Sequence, residues 1–389
     1  MKRRIPVNRY DSFNGLRGYA AIGILLMHYL VNIRYLYPDV ISGLVETNSI
    51  LYGRIIPFFT MFVYMFFTVS AFSMCCGYYD KFKMKSASGV GIELVSMFDT
   101  NKFYSKRYAR IWPFFALLVC VDVVMKPSIN ELYQAFADLT LAFNLLPNPD
   151  IQVIGVGWFL GLIFLFYMLF PWFVFLLQTK KRAWFAMIIA IVFHIIFFQY
   201  FLTSEFCLPS QIKVPRHNII FSFPFFMAGG LLYLYRNKIS FSKTWQRTVL
   251  LLVAILATVI WFTPFMPYPS YEKILFVGVT IVLWVMYAIT GGISIARVKL
   301  LDNRIAKFLS GISMEIFLCH MVFFRVVEKI HLEKIIHNAQ ALYWIWCVIG
   351  IALSITFSWA VTKIVFPGCV KVFSGMVGNK RVIWRNKIS

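Results

Sequence analysis

Long runs of apolar residues, separated by short polar or basic segments, repeat from one end of the chain to the other. Ten of these runs are long enough to cross about 30 Å of hydrocarbon at about 1.5 Å per helical residue. They are residues 15–33, 55–77, 109–125, 156–177, 183–202, 218–235, 248–266, 272–291, 308–327 and 341–366. The pattern predicts an all-α, polytopic membrane protein with about ten transmembrane helices. A weaker segment, 132–147, contains Asp138 and is predicted to be interfacial or re-entrant.

The composition supports a membrane protein. Of the 389 residues, 60% are hydrophobic and only 14% are charged, which leaves too little polar surface for a soluble protein of this size. Because the apolar runs extend from end to end, we expect one transmembrane domain over residues 1–389 and no separate soluble domain. The basic start, MKRRIPVNRY, is interpreted as the flank of a retained first span, because no small-residue cleavage site follows it.

The charge distribution predicts an orientation. The net charge is +22, but the basic residues lie in short clusters between apolar runs, which favours orientation in a membrane over binding of nucleic acid. With a cytoplasmic N-terminus, the cytoplasmic segments hold 28 lysines and arginines and the outer segments hold 9. This bias predicts that both termini are cytoplasmic and that the protein is a multi-pass protein of the plasma membrane, specifically the bacterial inner membrane. The seven cysteines form no CxxC pair, so we expect buried, inert thiols and no metal site.

The first run contains the two residues that a lipid-facing helix should exclude, Arg17 and His28. Eleven positions correspond to three helical turns plus about 20°, so both side chains share one face, about 16 Å apart along the axis. One face would then carry a cation near the cytoplasmic end and a titratable imidazole near mid-membrane. This suits a long substrate with an anionic head and a reactive tail, such as an acyl-coenzyme A. A purely structural interpretation, with Arg17 at the interface and His28 bonded to another helix, stays open.

Two further groups of polar residues could contribute to a site. Lys106, Arg107 and Arg110 lie within about one turn where a basic loop meets the third run, and an arginine's planar fork suits phosphate. Considered alone, these cations are better explained by membrane anchoring.

In the ninth run, Glu315 and His320 point about 140° apart on a helix and cannot easily pair with each other. A structural hydrogen bond for His320 stays open beside a functional role. His194, in the fifth run, is expected to be structural, and His217 is expected to be solvated.

Several of these segments together resemble the acyltransferase 3 family of integral membrane acyltransferases. FNGLRGYAAIGILLMH resembles the family's first span, with arginine and histidine at the family's spacing. The segments FFTVSAFSM, RYARIWP, WFLGLIFLFYMLFP and SMEIFLCH resemble later family segments in the same order. The matching positions of interest are Arg17, His28, Ser70, Arg107, Arg110, Trp158, Tyr167, Glu315 and His320.

The resemblance implies O-acyl transfer, with acetyl favoured, from cytoplasmic acyl-coenzyme A to a hydroxyl of a cell-surface glycan, a lipid-linked sugar or another envelope molecule. It implies that His28 acts as a general base or carries the acyl group, supported by Glu315 and His320. Arg17, Lys106, Arg107 and Arg110 would bind the donor. Trp158, Tyr167, Ser70 and Asn14 would bind the acceptor side.

The sequence also departs from the family pattern. Asn14 stands where many members have aspartate, and Ile163 and Phe164 replace two glutamates. These losses give some weight to a catalytically silent relative. A transporter or flippase for a lipid-linked saccharide is the alternative from another functional class, since many spans and intramembrane charges fit it as well. The oligomeric state is not predicted.

Overall fold

The structure is a computed structural model of the chain. It describes residues 10–38, 50–82, 98–125, 127–141, 143–145, 155–201, 217–240, 243–263, 271–290 and 301–367. Within these ranges every regular element is helical, which confirms the all-α prediction. The lysine-rich segment 83–97, the N-terminal residues 1–9 and the basic segment from residue 368 lie outside the described residues.

Thirteen α-helices form the framework of the described residues. They are α1 (Ser12–Leu36), α2 (Phe62–Tyr78), α3 (Thr100–Met125), α4 (Ile129–Leu139), α5 (Gly157–Met168), α6 (Phe170–Leu177), α7 (Lys180–Ile196), α8 (Ile219–Ser240), α9 (Thr244–Trp261), α10 (Tyr271–Thr290), α11 (Arg304–Gly311), α12 (Ser313–Glu328) and α13 (Ala339–Ala360). A single helical turn, Ile56–Phe58, precedes α2. Short π-helical stretches are Leu51–Ile55, Phe197–Phe201 and Val361–Val365, and short 3₁₀ turns are Phe59–Met61, Tyr79–Phe82, Phe143–Leu145 and Leu332–Lys334.

The described helices confirm a multi-pass membrane protein. Seven of them are long and apolar enough to cross a membrane, or nine if each of two bent pairs is one span, and α10 contributes a shorter apolar helix. The segments predicted as spans at 156–177 and 308–327 are the two bent pairs. α5 and α6 meet at 61°, and α11 and α12 meet at 68°. The first bend follows from Pro171, which lacks an N–H group and whose ring conflicts with the carbonyl four residues earlier.

The segment predicted not to span is a short amphipathic helix. α4 has 11 residues, about 16 Å of helix, which is too short to cross the hydrocarbon. Ser128 caps its first turn by accepting a hydrogen bond from the Glu131 N–H. Its exposed apolar side chains are Ile129, Leu132, Tyr133 and Phe136. These features fit a helix that lies in the membrane interface.

The chain divides into two compact units, which are described separately. The first comprises residues 1–13 and 61–298 and therefore contains α2 to α10. Two of its helices approach closely at Gly229 of α8, where an added Cβ would collide with the Thr68 carbonyl of α2. The neighbouring Gly230 meets Phe173 and Leu177 of α6 in the same way. Small residues at such crossings let membrane helices approach closely enough for van der Waals packing.

The second unit comprises residues 14–60 and 299–389, and therefore holds most of α1 together with α11, α12 and α13. Its core is formed by buried side chains from all three long helices. Tyr29 of α1, Phe324 of α12 and Trp346 of α13 lie at its centre and are at most 2% exposed. Tyr343 of α13 donates a hydrogen bond to the Leu26 carbonyl of α1. The free thiols of Cys319 and Cys347 are buried in this unit, as predicted.

Candidate active site

His28 and His320 lie in contact, although 292 positions separate them along the chain. The Nδ1 atom of His28 is 2.9 Å from the Nε2 atom of His320. The two rings are nearly parallel, with centroids 5.0 Å apart and planes inclined by 18°. His320 is fully buried, whereas His28 is half-buried. Of the two imidazoles, His28 is therefore the one that a substrate can reach.

The hydrogen-bond partners determine which nitrogen of each neutral ring carries the proton. The Nδ1 atom of His320 lies 3.3 Å from the Ile316 carbonyl oxygen, one turn earlier in α12. A carbonyl oxygen can only accept, so His320 Nδ1 carries the proton and His320 Nε2 is an acceptor. His28 must then donate from Nδ1, because one of the two facing nitrogens has to supply a hydrogen. In this tautomer the lone pair of His28 is on Nε2, the atom that would act as a base or nucleophile.

Tyr29 supports the pair from the adjacent position of α1. Its hydroxyl donates a hydrogen bond to the His320 carbonyl at 3.0 Å, and its ring packs edge-on against Phe324. The phenol occupies space that Gly350 of α13 leaves open, since an added Cβ at that position would overlap the tyrosine ring. α1, α12 and α13 therefore together fix the backbone that carries His320.

Arg17 lies half-buried in α1, between Gly15 and Gly18 of the GLRG segment. An added Cβ at Gly15 would come within 2.5 Å of the Leu301 Cα atom, and one at Gly18 within 2.9 Å of the Leu309 Cβ atom. The Gly15 N–H also donates a 2.9 Å hydrogen bond to the Leu301 carbonyl. The glycines of GLRG thus allow α1 to lie directly on residues 301–310. Asn14, which precedes them, is half-buried in the same unit.

Glu315 is buried in the first turn of α12, where its exposed fraction is 8%. A carboxylate is favourable at a helix N-terminus, because the first N–H groups of the helix have no partner within it. The structure pairs His320 with His28 of α1, a partner on a different helix. The spacing argument for Glu315 and His320 considered only positions on one helix, so it could not identify His28 as the partner of His320.

In the first unit, the Arg107 guanidinium of α3 lies among three aromatic rings. Its Cζ atom is 5.1 Å from the ring centroid of Tyr167, 5.3 Å from that of Phe103 and 5.5 Å from that of Tyr78. Aromatic faces attract a cation electrostatically and hold its orientation. The Arg107 Nε–H has no hydrogen-bond partner among the described residues. The guanidinium is therefore positioned by its ring faces, whereas the Nε atom itself is buried.

The other candidate residues of the first unit have different surroundings. Lys106 and Arg110 are exposed on α3, on either side of Arg107, and Ser70 is half-buried in α2. Trp158, at the start of α5, stacks on His217 with ring centroids 4.6 Å apart. His217 is thus a half-buried ring partner, and the prediction that it is solvated is wrong. Asn144 fixes this pair by donating to the backbone carbonyls of both residues.

Comparison with known proteins identifies the family. The family model described as an acyltransferase domain matches residues 10–363, which covers both units. The chain belongs to the acyltransferase 3 family. It is therefore a membrane acyltransferase by family, and the reaction class implies an acyl donor and an acceptor. Neither the search of curated proteins nor the search of solved structures gives a match.

Within the acyltransferase, the structure brings together some predicted residues and adds others. His28 meets His320, and Arg107 meets Tyr167, a residue that the sequence assigned to the acceptor side. Tyr29 and Gly350 were not identified from the sequence. The position of Tyr29 next to His28 was a weak sign of its role, but nothing in the local sequence indicates that Gly350 faces Tyr29.

Proposed function

We propose that this acyltransferase moves an acyl group, with acetyl favoured, from acyl-coenzyme A to a hydroxyl of a cell-surface glycan or another envelope molecule. The observation that carries the proposal is the hydrogen bond between His28 Nδ1 and His320 Nε2, 2.9 Å long. It directs the lone pair of a half-buried imidazole away from its buried partner. An imidazole is the side chain best suited to accept a proton near neutral pH.

In the general-base route, His28 Nε2 accepts the proton of the acceptor hydroxyl as the oxygen attacks the acyl carbonyl. The proton then passes from His28 to the departing thiolate. His320 stabilises the positive charge that His28 acquires, because its Nε2 accepts from the Nδ1–H that becomes more acidic in the imidazolium. His320 is therefore a positioning residue, and Tyr29 holds its backbone through the bond to its carbonyl.

An acyl-histidine route would use the same atom. His28 Nε2 would attack the acyl carbonyl directly, and coenzyme A would leave as its thiolate. The acceptor hydroxyl would then take the acyl group, its proton passing to His28 Nε2 as the acyl–nitrogen bond breaks and from there to the thiolate. The two routes differ before the acceptor arrives. Without acceptor, only the acyl-histidine route attaches the labelled acyl group to the protein. Only that route also exchanges label between coenzyme A and acyl-coenzyme A.

For the donor, we propose that Arg107 binds a phosphate, assisted by Lys106 and Arg110 of the same helix. Arg17 is proposed as a donor-binding residue from the sequence resemblance alone. The ring contacts of Arg107 support this role, because they orient a guanidinium without neutralising it. We further propose cytoplasmic termini and a bacterial inner-membrane location, which rest on the distribution of lysine and arginine.

The test is transfer of labelled acetyl from acetyl-coenzyme A by membranes that contain His28→Ala. We expect kcat to fall about 10²–10⁴-fold, the usual effect of removing a general base, at unchanged protein level. The matched control is His337→Ala, which removes an exposed histidine from the same unit and should leave the rate unchanged. Full activity of His28→Ala would refute the assignment. Saccharide movement without release of coenzyme A would instead identify a transporter.

A further inference from the structure

The first unit has an apolar groove between α6 and α7, with α8 as its floor. Its volume is ≈ 420 Å³, and every residue that lines it is apolar. One wall is a stripe on α7 at four-residue spacing, Phe185, Ile189 and Phe193. Ala186 and Ala190, one position further along, provide the depth. The groove therefore follows from large residues beside small ones at helical spacing.

Side-chain contacts define the two ends of the groove. Trp184 of α7 donates to the Tyr235 hydroxyl of α8 at 3.0 Å, whereas His194 Nδ1 lies 2.8 Å from the Phe221 carbonyl. α7 and α8 are thus antiparallel. One end of the groove lies near the first turn of α7, and the other lies near the first turn of α8.

The groove has the length of one membrane leaflet. From Phe185 to Phe193 it extends about 12 Å along the α7 axis, at about 1.5 Å per residue. Half of the hydrocarbon core is about 15 Å. The walls face outward, since Phe185 is 65% and Phe193 53% exposed. Within a bilayer, an open apolar channel of this length fits a single hydrocarbon chain.

One end of the groove carries positive charge. Lys180 and Lys181 are exposed there, and Arg182 lies 4.0 Å from the Phe175 ring of α6 and donates to Gln178 at 3.2 Å. No acidic residue occurs in 155–201 or in 217–240. The nearby acid is Asp80. It follows Tyr79 in the chain, and the Tyr79 hydroxyl donates a hydrogen bond to the Leu177 carbonyl at the end of α6. Among the described residues of this end, three cations against one carboxylate leave the rim positive.

We propose that the groove binds one hydrocarbon chain of an anionic phospholipid, with the lipid phosphate at Lys180 and Lys181. Two features together select this occupant. The groove is close in length to a chain of one leaflet, and the cations stand beyond one end of it, where a lipid phosphate attached to that chain would lie. Basic residues at the membrane surface attract anionic lipids electrostatically. A zwitterionic lipid would fill the groove but gain little from the rim.

The experiment uses the full chain in nanodiscs of phosphatidylcholine with a trace of phosphatidylglycerol that carries a photoreactive diazirine in its tail. We expect adducts on α6 and α7, and at least tenfold better competition by unlabelled phosphatidylglycerol than by phosphatidylcholine. Lys180→Gln with Lys181→Gln should reduce that preference to within about twofold. The matched control, Lys243→Gln with Arg247→Gln, removes two cations at the start of α9, whose exposed apolar face belongs to no groove described here.

A second variant tests the chain-binding part separately. Ile189→Trp fills the groove from a partly exposed position and should reduce the adducts at least fivefold, whereas Leu252→Trp on the exposed face of α9 should not. Equal competition by both lipids, unaffected by the lysine substitutions, would refute the proposal and indicate ordinary bilayer contact. Cross-links between two copies of the chain at α6 and α7 would also refute it and indicate a protein interface.

Discussion

Two histidines in this molecule are equally buried and place the Nδ1 atom in the same kind of contact. They differ in the surroundings of the Nε2 atom. His320 and His194 are both 0% exposed. Each places Nδ1 next to a backbone carbonyl, that of Ile316 for His320 and that of Phe221 for His194. At His320 the Nε2 atom accepts from His28, whereas the Nε2 atom of His194 has no hydrogen-bond partner among the described residues.

The difference shows that burial of a histidine in the membrane does not by itself indicate chemistry. His194 stacks on Phe221 with ring centroids 4.3 Å apart and serves as a polar link between α7 and α8. His320 has the same structural bond but adds a contact with a second, half-buried imidazole. This contact is the reason why His28 is the proposed reactive group, with the buried member of the pair setting its tautomer.

Among variants that keep His28, the largest effect is expected from breaking the pair at His320. His320→Leu leaves the His28 Nδ1–H without an acceptor and frees the ring to adopt the other tautomer, so kcat should fall about 10²-fold at similar KM for the donor. His320→Gln can accept from His28 through its amide oxygen and should recover at least tenfold of that loss. Steady-state kinetics with labelled acetyl-coenzyme A give both values. Equal activities for the two variants would contradict the role of the hydrogen bond.

The next effect tests the packing behind the pair. Gly350→Ala should displace the Tyr29 phenol, because Tyr29 is fully buried and has no free space to move into. Overpacking of this kind costs about 1–3 kcal/mol, so both the melting temperature in detergent and kcat should fall. Gly53→Ala is the matched control, because an added Cβ there meets nothing within 4 Å. If both variants behave alike, the glycine contact does not position the site.

A smaller effect is expected from Tyr29→Phe. The substitution removes the 3.0 Å hydrogen bond to the His320 carbonyl but keeps the ring against Phe324. The loss should be about 0.5–1.5 kcal/mol in stability, with a reduction of kcat of about threefold. Thermal melting and the acetyl-transfer rate measure the two effects. A larger loss than for His320→Leu would mean that Tyr29 contacts the substrate itself.

The smallest effect is expected at the comparison residue. His194→Asn keeps a side-chain N–H that can donate to the Phe221 carbonyl, so kcat should stay within about twofold of the parent protein. The rate of acetyl transfer at equal protein level measures this. A loss comparable to that of His28→Ala would remove the distinction between the two histidines.

The sequence identified much of the framework because membrane spans leave a strong local pattern. Arg17 and His28 could be assigned to one helix from spacing alone, and the segment around α4 could be excluded as a span from its polar residues. The bend at α6 was missed although Pro171 signals it. The bend between α11 and α12 has only Gly311 as a local sign.

The pairing of the candidate site was not available from the sequence for a physical reason. The contact between His28 and His320 depends on how α1 packs against α12, and helix periodicity describes only one helix at a time. The same reason hid the contact of Tyr167 with Arg107 and that of Gly350 with Tyr29. The sequence could nominate these polar residues individually, but it could not state which of them meet.

The close approach of Gly15 and Gly18 to residues 301–310 has a consequence for how relatives of this chain should be sorted. The two glycines of GLRG allow α1 to pack on residues 301–310. A homologue without acyltransferase activity would still need them to fold. A survey keyed to the glycine motif would therefore collect active and inactive proteins together. The joint presence of histidines at the positions of His28 and His320 is the sharper criterion for predicting which relatives still transfer an acyl group.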